Sequence, residues 1–157
     1  MSRRLPYREG DCFAVPLREG GFGVGVVARM SPRGKILFGC FFGPARPAPP
    51  TVAELAGLSP HDAILVARFG DLALFKSEWP VLGQLPGWDR AHWPLPPFQR
   101  VESLRGTAQL ITYADHDPAQ EIRAERLAQP REDVEPDGLL GAGAVELALT
   151  RRLALQI

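Results

Sequence analysis

The first third of the chain consists of short apolar stretches separated by turn sequences. Three such stretches occur at positions 10–17, 22–29 and 35–42, and the turns between them read REGG and SPRG. The second stretch, FGVGVVAR, alternates glycine with larger apolar residues at a period of two, which is the period of a β-strand. Three short strands with glycines inside them predict an antiparallel meander that curls, or a small SH3-like barrel.

Further strands are predicted downstream, at 63–70, 71–76 and 107–114. The segment 119–127 has two interpretations, a strand or a helix that Asp117 caps with a proline at its first position. Its apolar and charged residues alternate, which favours the strand as the second arm of a hairpin.

Proline marks two loops. The stretch GPARPAPP precedes a short helix, for which Thr51 is the predicted N-cap, Glu54 the capping-box partner and Gly57 the end. The segment 77–98 is rich in tryptophan and proline, so it cannot be regular for long. We expect it to run over the surface of the sheet, ordered by the burial of its tryptophans.

The C-terminal part contains the acidic, proline-containing stretch QPREDVEPDG and then a predicted helix. In this helix Val145, Leu149 and Leu153 would share one face, and the basic pair Arg151 and Arg152 would lie near the C-terminus, where the helix dipole favours positive charge. The acidic stretch is expected to be a linker.

The length of 157 residues and an apolar content of 45% indicate one folded domain with its own hydrophobic core. The expected fold class is mostly β (α+β). The expected organisation is a single domain over 1–157, with a core at about 7–128, the linker at 129–138 and the C-terminal helix at about 142–154.

The glycines of FGVGVVAR raise the possibility of a phosphate-binding loop. A dinucleotide fingerprint needs G-x-G-x-x-G after a strand and at the start of a helix. Here the spacing is G-x-G-x-G, and valines lead into the turn SPRG. The sequence therefore predicts that Gly23 and Gly25 relieve crowding where a strand bends, or lie beneath a large side chain.

Charge and cysteine usage argue against several classes of partner. Eighteen basic side chains balance eighteen acidic ones, so there is no large positive field for nucleic acid. Cys12 and Cys40 lack zinc-ligand spacing and are expected to be buried, reduced thiols. No apolar run is long enough to cross a membrane and no signal peptide is evident, so a cytoplasmic location is expected.

No catalytic or cofactor motif is found in the sequence. His61, His92 and His116 fall in three different predicted turns or loops. The aspartates that flank His116 are expected to satisfy backbone donors in a turn rather than to bind a metal. No serine lies in a G-x-S-x-G elbow, so we expect no catalytic residues, no metal and no cofactor.

The tryptophans give the strongest indication of a binding surface. Trp79 is expected in the core because it lies between a strand end and a proline. Tryptophan and arginine are favoured anchors of protein interfaces. The stretch that we predict to bind a protein partner comprises Trp88, Asp89, Arg90, His92 and Trp93.

Several segments together resemble the Imm26-type immunity proteins of bacterial polymorphic toxin systems. The resemblance rests on GDCFAVPL with the glycine-alternating second strand, on SEWPVLGQLP and WPLPPF, and on GLLGAGAVELAL, and it covers about 7–149. It implies a mostly β domain that neutralises a cognate toxin by binding it. It implies no catalytic residues for this chain.

Two other functions compete with this interpretation. A small β-barrel adaptor for nucleic acid or peptide would need a surface cluster of Arg29, Arg33, Lys35 and Arg68. A small enzyme would need a pocket that brings His61 or His116 together with a second titratable group. The sequence leaves the oligomeric state open.

Overall fold

The computed structural model describes residues 4–102 and 104–156, and within these limits the chain forms nine strands and two helices. The strands are β1 (Asp11–Pro16), β2 (Phe22–Met30), β3 (Ile36–Arg46), β4 (Leu65–Gly70), β5 (Val81–Gln84), β6 (Phe98–Glu102), β7 (Thr107–Ala114), β8 (Asp117–Leu127) and β9 (Leu139–Leu140). The helices are α1 (Leu72–Phe75) and α2 (Ala142–Ala154), and short 3-10 turns occur at Val52–Leu55, Pro60–Asp62 and Arg90–His92.

The strands form two sheets. Sheet A has the order β5-β1-β2-β3-β4-β9 and is antiparallel except for the pair β4 and β9, whereas sheet B has the antiparallel order β6-β7-β8. Sheet A ends at β5 on one side and at β9 on the other, so it does not close into a barrel. The mostly β fold and the C-terminal helix are confirmed, whereas the small barrel is not formed.

Sheet A is covered on both faces, which explains why its strands are almost continuously apolar. Helix α2 lies on one face, where a core of aromatic residues includes Phe13, Phe41, Phe69 and Trp79. Sheet B and the tryptophan-rich segment cover the opposite face, where the core includes Phe38, Phe42, Trp93, Phe98 and Ile111. The expected burial of Trp79 is confirmed, since none of its surface is exposed.

The C-terminal helix and the second hairpin arm agree with the sequence predictions. Val145 and Leu149 of α2 are fully buried, and Leu153 packs against the same core. The segment 119–127 is strand, as part of β8. No helix in the described part of the chain combines the length and the apolar character needed to span a bilayer.

The glycines of β2 lie beneath large side chains, as the sequence predicts. A Cβ atom on Gly25 would come within 2.3 Å of the ring of Phe13, and one on Gly23 would come within 2.6 Å of Leu149. Gly25 and Phe13 are directly opposite each other in β2 and β1. The alternating glycines therefore make room for core side chains on the face that α2 covers.

The prediction of a strand at 71–76 is wrong, because this segment forms the single helical turn α1. The carboxylate of Asp71 accepts hydrogen bonds from the Tyr7 hydroxyl, at 2.6 Å, and from the backbone N–H of Lys35, at 3.1 Å. These bonds fix the chain where β4 ends. The neighbours Ala73 and Leu74 are then buried together, which a helical turn allows and the alternation of a strand does not.

The segment 77–98 is mostly irregular, as predicted, but it also contributes β5 to the edge of sheet A next to β1. The short helix after the first proline-rich loop is a single 3-10 turn. Its predicted cap does not form, since the Thr51 hydroxyl contacts the Glu54 carboxylate, at 3.3 Å, instead of a backbone N–H.

The acidic segment 129–138 connects β8 to β9 along the outer edge of β6. Backbone hydrogen bonds join Gln99 to Glu135, at 2.9 Å, and Asp137 to Gln99, at 2.6 Å. The Glu135 carboxylate also accepts two hydrogen bonds from Arg152 of α2, each at 3.0 Å. The segment predicted as a linker therefore covers one edge of sheet B.

Candidate functional site

Two loops that are distant in the sequence form an open cleft of about 410 Å³. Leu58 and His61 lie on one wall, next to the short turn Pro60–Asp62. Asp89, His92 and Trp93 lie on the other wall, which the tryptophan-rich segment provides. The structure thus brings three of the five residues predicted to bind a partner to one concave surface.

Of the two tryptophans of the predicted binding stretch, Trp93 lines the cleft and Trp88 packs against Trp93. Trp93 is only 4% exposed, and its ring packs edge-on against Phe42, with the ring centres 6.0 Å apart. Trp88 is half-buried and lies 5.6 Å from Trp93, ring centre to ring centre. A Cβ atom on Gly10 would come within 2.7 Å of the Trp88 indole, and the backbone φ of +90° at this position also favours glycine.

The polar rim of the cleft is solvent-exposed. The side chains of Asp89 and His92 are 53% and 79% exposed, and Asp89 Oδ2 lies 3.3 Å from His92 Nδ1. Asp89 Oδ1 accepts a hydrogen bond from the backbone N–H of Ala91, at 3.1 Å, at the start of the turn Arg90–His92. This bond fixes the loop and leaves the carboxylate and the imidazole facing water, where they can bind a partner.

Arg90 points away from the open cleft into an ion-pair network. Its Nε donates to Glu9, at 2.9 Å, and its terminal nitrogens donate to the carboxylate and the backbone carbonyl of Asp115. Asp115 also accepts from Nε of the buried Arg29, at 2.9 Å. The hydrogen bond with Asp115 raises the pKa of Arg90, and the bonds from Arg90 and Arg29 lower the pKa of Asp115.

This network ties the tryptophan-rich segment to three other parts of the chain. They are the segment before β1, strand β2 and the turn between β7 and β8. Arg90 therefore holds the cleft wall in place, whereas Asp89 and His92 present the exposed polar groups.

His61 lines the same cleft as His92 and Asp89, which is the kind of pocket that the enzyme alternative requires. Next to His61, the Asp62 carboxylate accepts hydrogen bonds from the Ser59 hydroxyl, at 3.4 Å, and from the Ser59 backbone N–H, at 3.3 Å. These bonds stabilise the turn Pro60–Asp62. The side chains of Asp89 and His92 are exposed, so the cleft presents them to solvent as hydrogen-bonding groups.

The remaining histidine, His116, is exposed on the turn between β7 and β8. Both neighbouring aspartates bind other side chains, since Asp115 accepts from Arg29, at 2.9 Å, and Asp117 accepts from the Ser31 hydroxyl, at 2.7 Å. Among the described residues, no three histidine, cysteine, aspartate or glutamate side chains come together as a set of metal ligands.

The two cysteines are buried and unpaired with each other, as predicted. Burial raises the pKa of both thiols to about 12. Since the thiolate is the nucleophilic form, neither Cys12 nor Cys40 is suited to covalent chemistry near neutral pH.

The basic surface cluster that the adaptor alternative requires is not formed. Arg29 and Arg68 are 3% and 8% exposed and face sheet B. The Arg68 guanidinium lies 3.7 Å from the centre of the Tyr113 ring and donates to the backbone carbonyl of Pro118, at 2.8 Å. Of the four residues of the predicted cluster, these two bind within the chain rather than face solvent.

Sequence reasoning missed the second wall of the cleft and the partners of Arg90. Asp115 is separated from Arg29 by 86 positions and from Arg90 by 25. The sequence signal at Asp115 is a turn aspartate, and it gives no indication of which distant arginine it meets.

Neither the curated proteins nor the solved structures include a significant match to this chain. The family model of Immunity protein 26 matches residues 8–110, which is more than half of the chain and includes both walls of the cleft. The chain therefore belongs to the Immunity protein 26 (Imm26) family.

Proposed function

We propose that this protein neutralises a cognate bacterial toxin by binding it in a one-to-one complex, without catalysis, and that the cleft is the toxin-binding surface. The observation that carries the proposal is the position of the cleft within the family match. Both walls lie inside residues 8–110, whereas β8 and α2 lie outside. A function common to the family is expected to use surface that the family model covers.

The cleft has the organisation of a protein-binding site. Interfaces combine a well-packed centre with a polar rim, and a few residues supply most of the affinity. Here the buried Trp93, which packs against Trp88, provides a well-packed part of the cleft lining, and Asp89 and His92 provide exposed hydrogen-bonding groups. Arg90 completes the predicted stretch as the residue that fixes the loop through Asp115.

This division assigns different roles to the five residues. Asp89 and His92 contact the toxin directly and contribute specificity and steering of the encounter. Trp88, Arg90 and Trp93 act mainly by holding these two groups in place, which lowers the entropy lost on binding.

The experiment measures the affinity of the purified protein for an inactivated toxin domain encoded beside its gene, by isothermal titration calorimetry. We expect one-to-one binding, and inhibition of the active toxin that is complete at one equivalent. The double variant Asp89→Ala/His92→Ala should bind at least about tenfold more weakly, mainly through faster dissociation. The matched control is Glu132→Ala, which removes an exposed carboxylate outside the family match.

The possible results test the proposed function and the proposed contact surface separately. Absence of a complex, or turnover that inactivates the toxin at far below one equivalent, would overturn the proposed mechanism. A tight complex that the double variant leaves unchanged would retain the function and reject the cleft as the contact surface.

A further inference from the structure

Strand β8 is an open sheet edge. It pairs with β7 on one side, and none of the described strands pairs with it on the other. It is eleven residues long, and every residue from 119 to 126 is exposed. An edge of this length presents unpaired backbone N–H and C=O groups, which another strand can bind.

The features that usually protect such an edge lie in the first half of β8. Pro118 lacks a backbone donor, and the pairing with β7 shifts in register between Glu121 and Arg123, so that Ile122 has no partner in β7. From 123 to 127 the strand pairs with β7 residue for residue. This second half is regular and free of proline.

The charges in the regular half of β8 are complementary to those of a second copy of the same strand in an antiparallel pair. Arg123 and Glu125 lie on the same face, and Arg123 Nε is 2.8 Å from Glu125 Oε1. Two copies of β8 paired antiparallel about a two-fold axis at Ala124 would place Arg123 of each copy opposite Glu125 of the other. An axis at Arg123 or at Glu125 would instead place like charges opposite each other, which is unfavourable.

From this pattern we propose that β8 binds β8 of a second copy of the chain, in antiparallel register about Ala124, to form a continuous six-stranded sheet across a dimer. The small side chain at the axis avoids a clash between its two copies, which lie directly opposite each other on one face of the sheet. A contact made by one strand from each copy is small, so the dimer should dissociate on dilution. It should also weaken with added salt, because its ion pairs are exposed. This inference is independent of the proposed toxin binding.

The first test is sedimentation equilibrium of the purified full chain, without toxin, over about a hundredfold range of concentration. We expect a reversible dimer whose dissociation constant rises about tenfold or more in Arg123→Glu and in Glu125→Arg, because each creates two like-charge pairs. The double variant Arg123→Glu/Glu125→Arg should restore the dimer. The control Arg33→Glu makes the same charge change on an exposed turn and should leave the dimer intact.

The second test reads the register directly and does not depend on the charge variants. Paired residues on opposite strands have Cβ atoms about 5 Å apart, so Ala124→Cys should form a disulfide-linked dimer under mild oxidation. The natural thiols are buried and unreactive, so the introduced thiol is the one that responds. Gln120→Cys on the same strand should not cross-link, because this register places its two copies more than about 20 Å apart.

Three results would overturn the proposal. They are a monomer at all concentrations, a dimer that both single charge reversals leave unchanged, and cross-linking of Gln120→Cys as readily as of Ala124→Cys. Circular dichroism of each variant establishes that it is folded before its mass is measured.

Discussion

Replacing Gly25 by alanine tests whether the alternating glycines of β2 exist to accommodate core side chains. The new methyl group would lie 2.3, 2.5 and 3.0 Å from three atoms of the Phe13 ring. That ring is fully buried, stacked on Trp79 with ring centres 5.6 Å apart, and in edge contact with Phe41. Because the ring has little room to move, the added carbon forces shifts in several aromatic side chains at once.

The expected loss of stability follows from two opposing effects. Overpacking a well-packed core costs about 1–3 kcal/mol, and three short contacts place Gly25→Ala near the upper end. Replacing a glycine inside a strand by alanine returns about 0.5–1 kcal/mol through the reduced backbone entropy of the unfolded chain. The net loss should be about 2 kcal/mol, which for a chain of this length lowers Tm by about 4–8 °C.

The assay is urea denaturation followed by circular dichroism, in which the midpoint should fall while the slope m stays constant. The control is Gly138→Ala, since a Cβ atom there would meet nothing within 4 Å; its stability should change by less than about 0.5 kcal/mol. The double variant Gly25→Ala/Phe13→Leu should lose less than the sum of the two single variants, because the shorter side chain removes the overlap. A loss below about 0.5 kcal/mol in Gly25→Ala would refute the reasoning.

The remaining predictions concern the loop that forms the cleft. Asp115→Asn should destabilise the fold by about 1–2 kcal/mol, because the buried Arg29 loses its carboxylate partner; this is less than for a fully buried pair, since Asp115 is 64% exposed. Its lowered pKa in the folded state means that the stabilisation is complete above the unfolded pKa of about 4 and is lost as the pH falls through the folded value, so acid titration should reduce the stability of the wild type more than that of the variant. Trp93→Ala should cost about 3–5 kcal/mol in urea denaturation, whereas His92→Ala should change stability by less than about 0.5 kcal/mol.

The parts of the fold that could be predicted are those in which local pattern and tertiary environment agree. In β2 the alternating glycines lie beneath core side chains, Gly25 beneath Phe13 and Gly23 beneath Leu149, so the sequence pattern directly reflects the packing. In α2 the spacing of Val145 and Leu149 matches the single face that sheet A covers. In both elements the periodicity of the backbone matches the spacing of the residues that face the core.

The prediction failed where a short apolar run fits two periodicities. The sequence LALF is compatible with a strand or with one helical turn, and nothing within those four residues decides between them. The local structure is determined by Asp71, whose carboxylate accepts hydrogen bonds from the Tyr7 hydroxyl and the Lys35 backbone N–H where β4 ends. Both partners are distant from Asp71 in the sequence. The short strand β5 is not predicted for a similar reason. It forms by pairing with the edge of β1, which is distant in the sequence.

Only one of the two walls of the cleft could be predicted from the sequence. The composition of 88–93 marks one wall, since tryptophan, arginine and exposed polar residues are typical of interfaces. The other wall, next to His61, is placed by the 3-10 turn that a capping box at Ser59 and Asp62 stabilises. A cap of this kind is a local structural signal that carries no information on what lies across from it.

The proposed binding surface can be tested by measuring stability and toxin affinity separately for the supporting and the contacting residues. Trp88, Trp93 and Arg90 are engaged within the fold, so their replacement should lower stability and toxin affinity together. The side chains of Asp89 and His92 are exposed. Replacing His92 should lower affinity and leave stability nearly unchanged, whereas Asp89→Ala should also cost about 1 kcal/mol, because it removes the acceptor of the hydrogen bond from the Ala91 backbone N–H. If instead stability and affinity fell in parallel for all five residues, the rim would have no direct role and toxin binding would depend on the integrity of the loop alone.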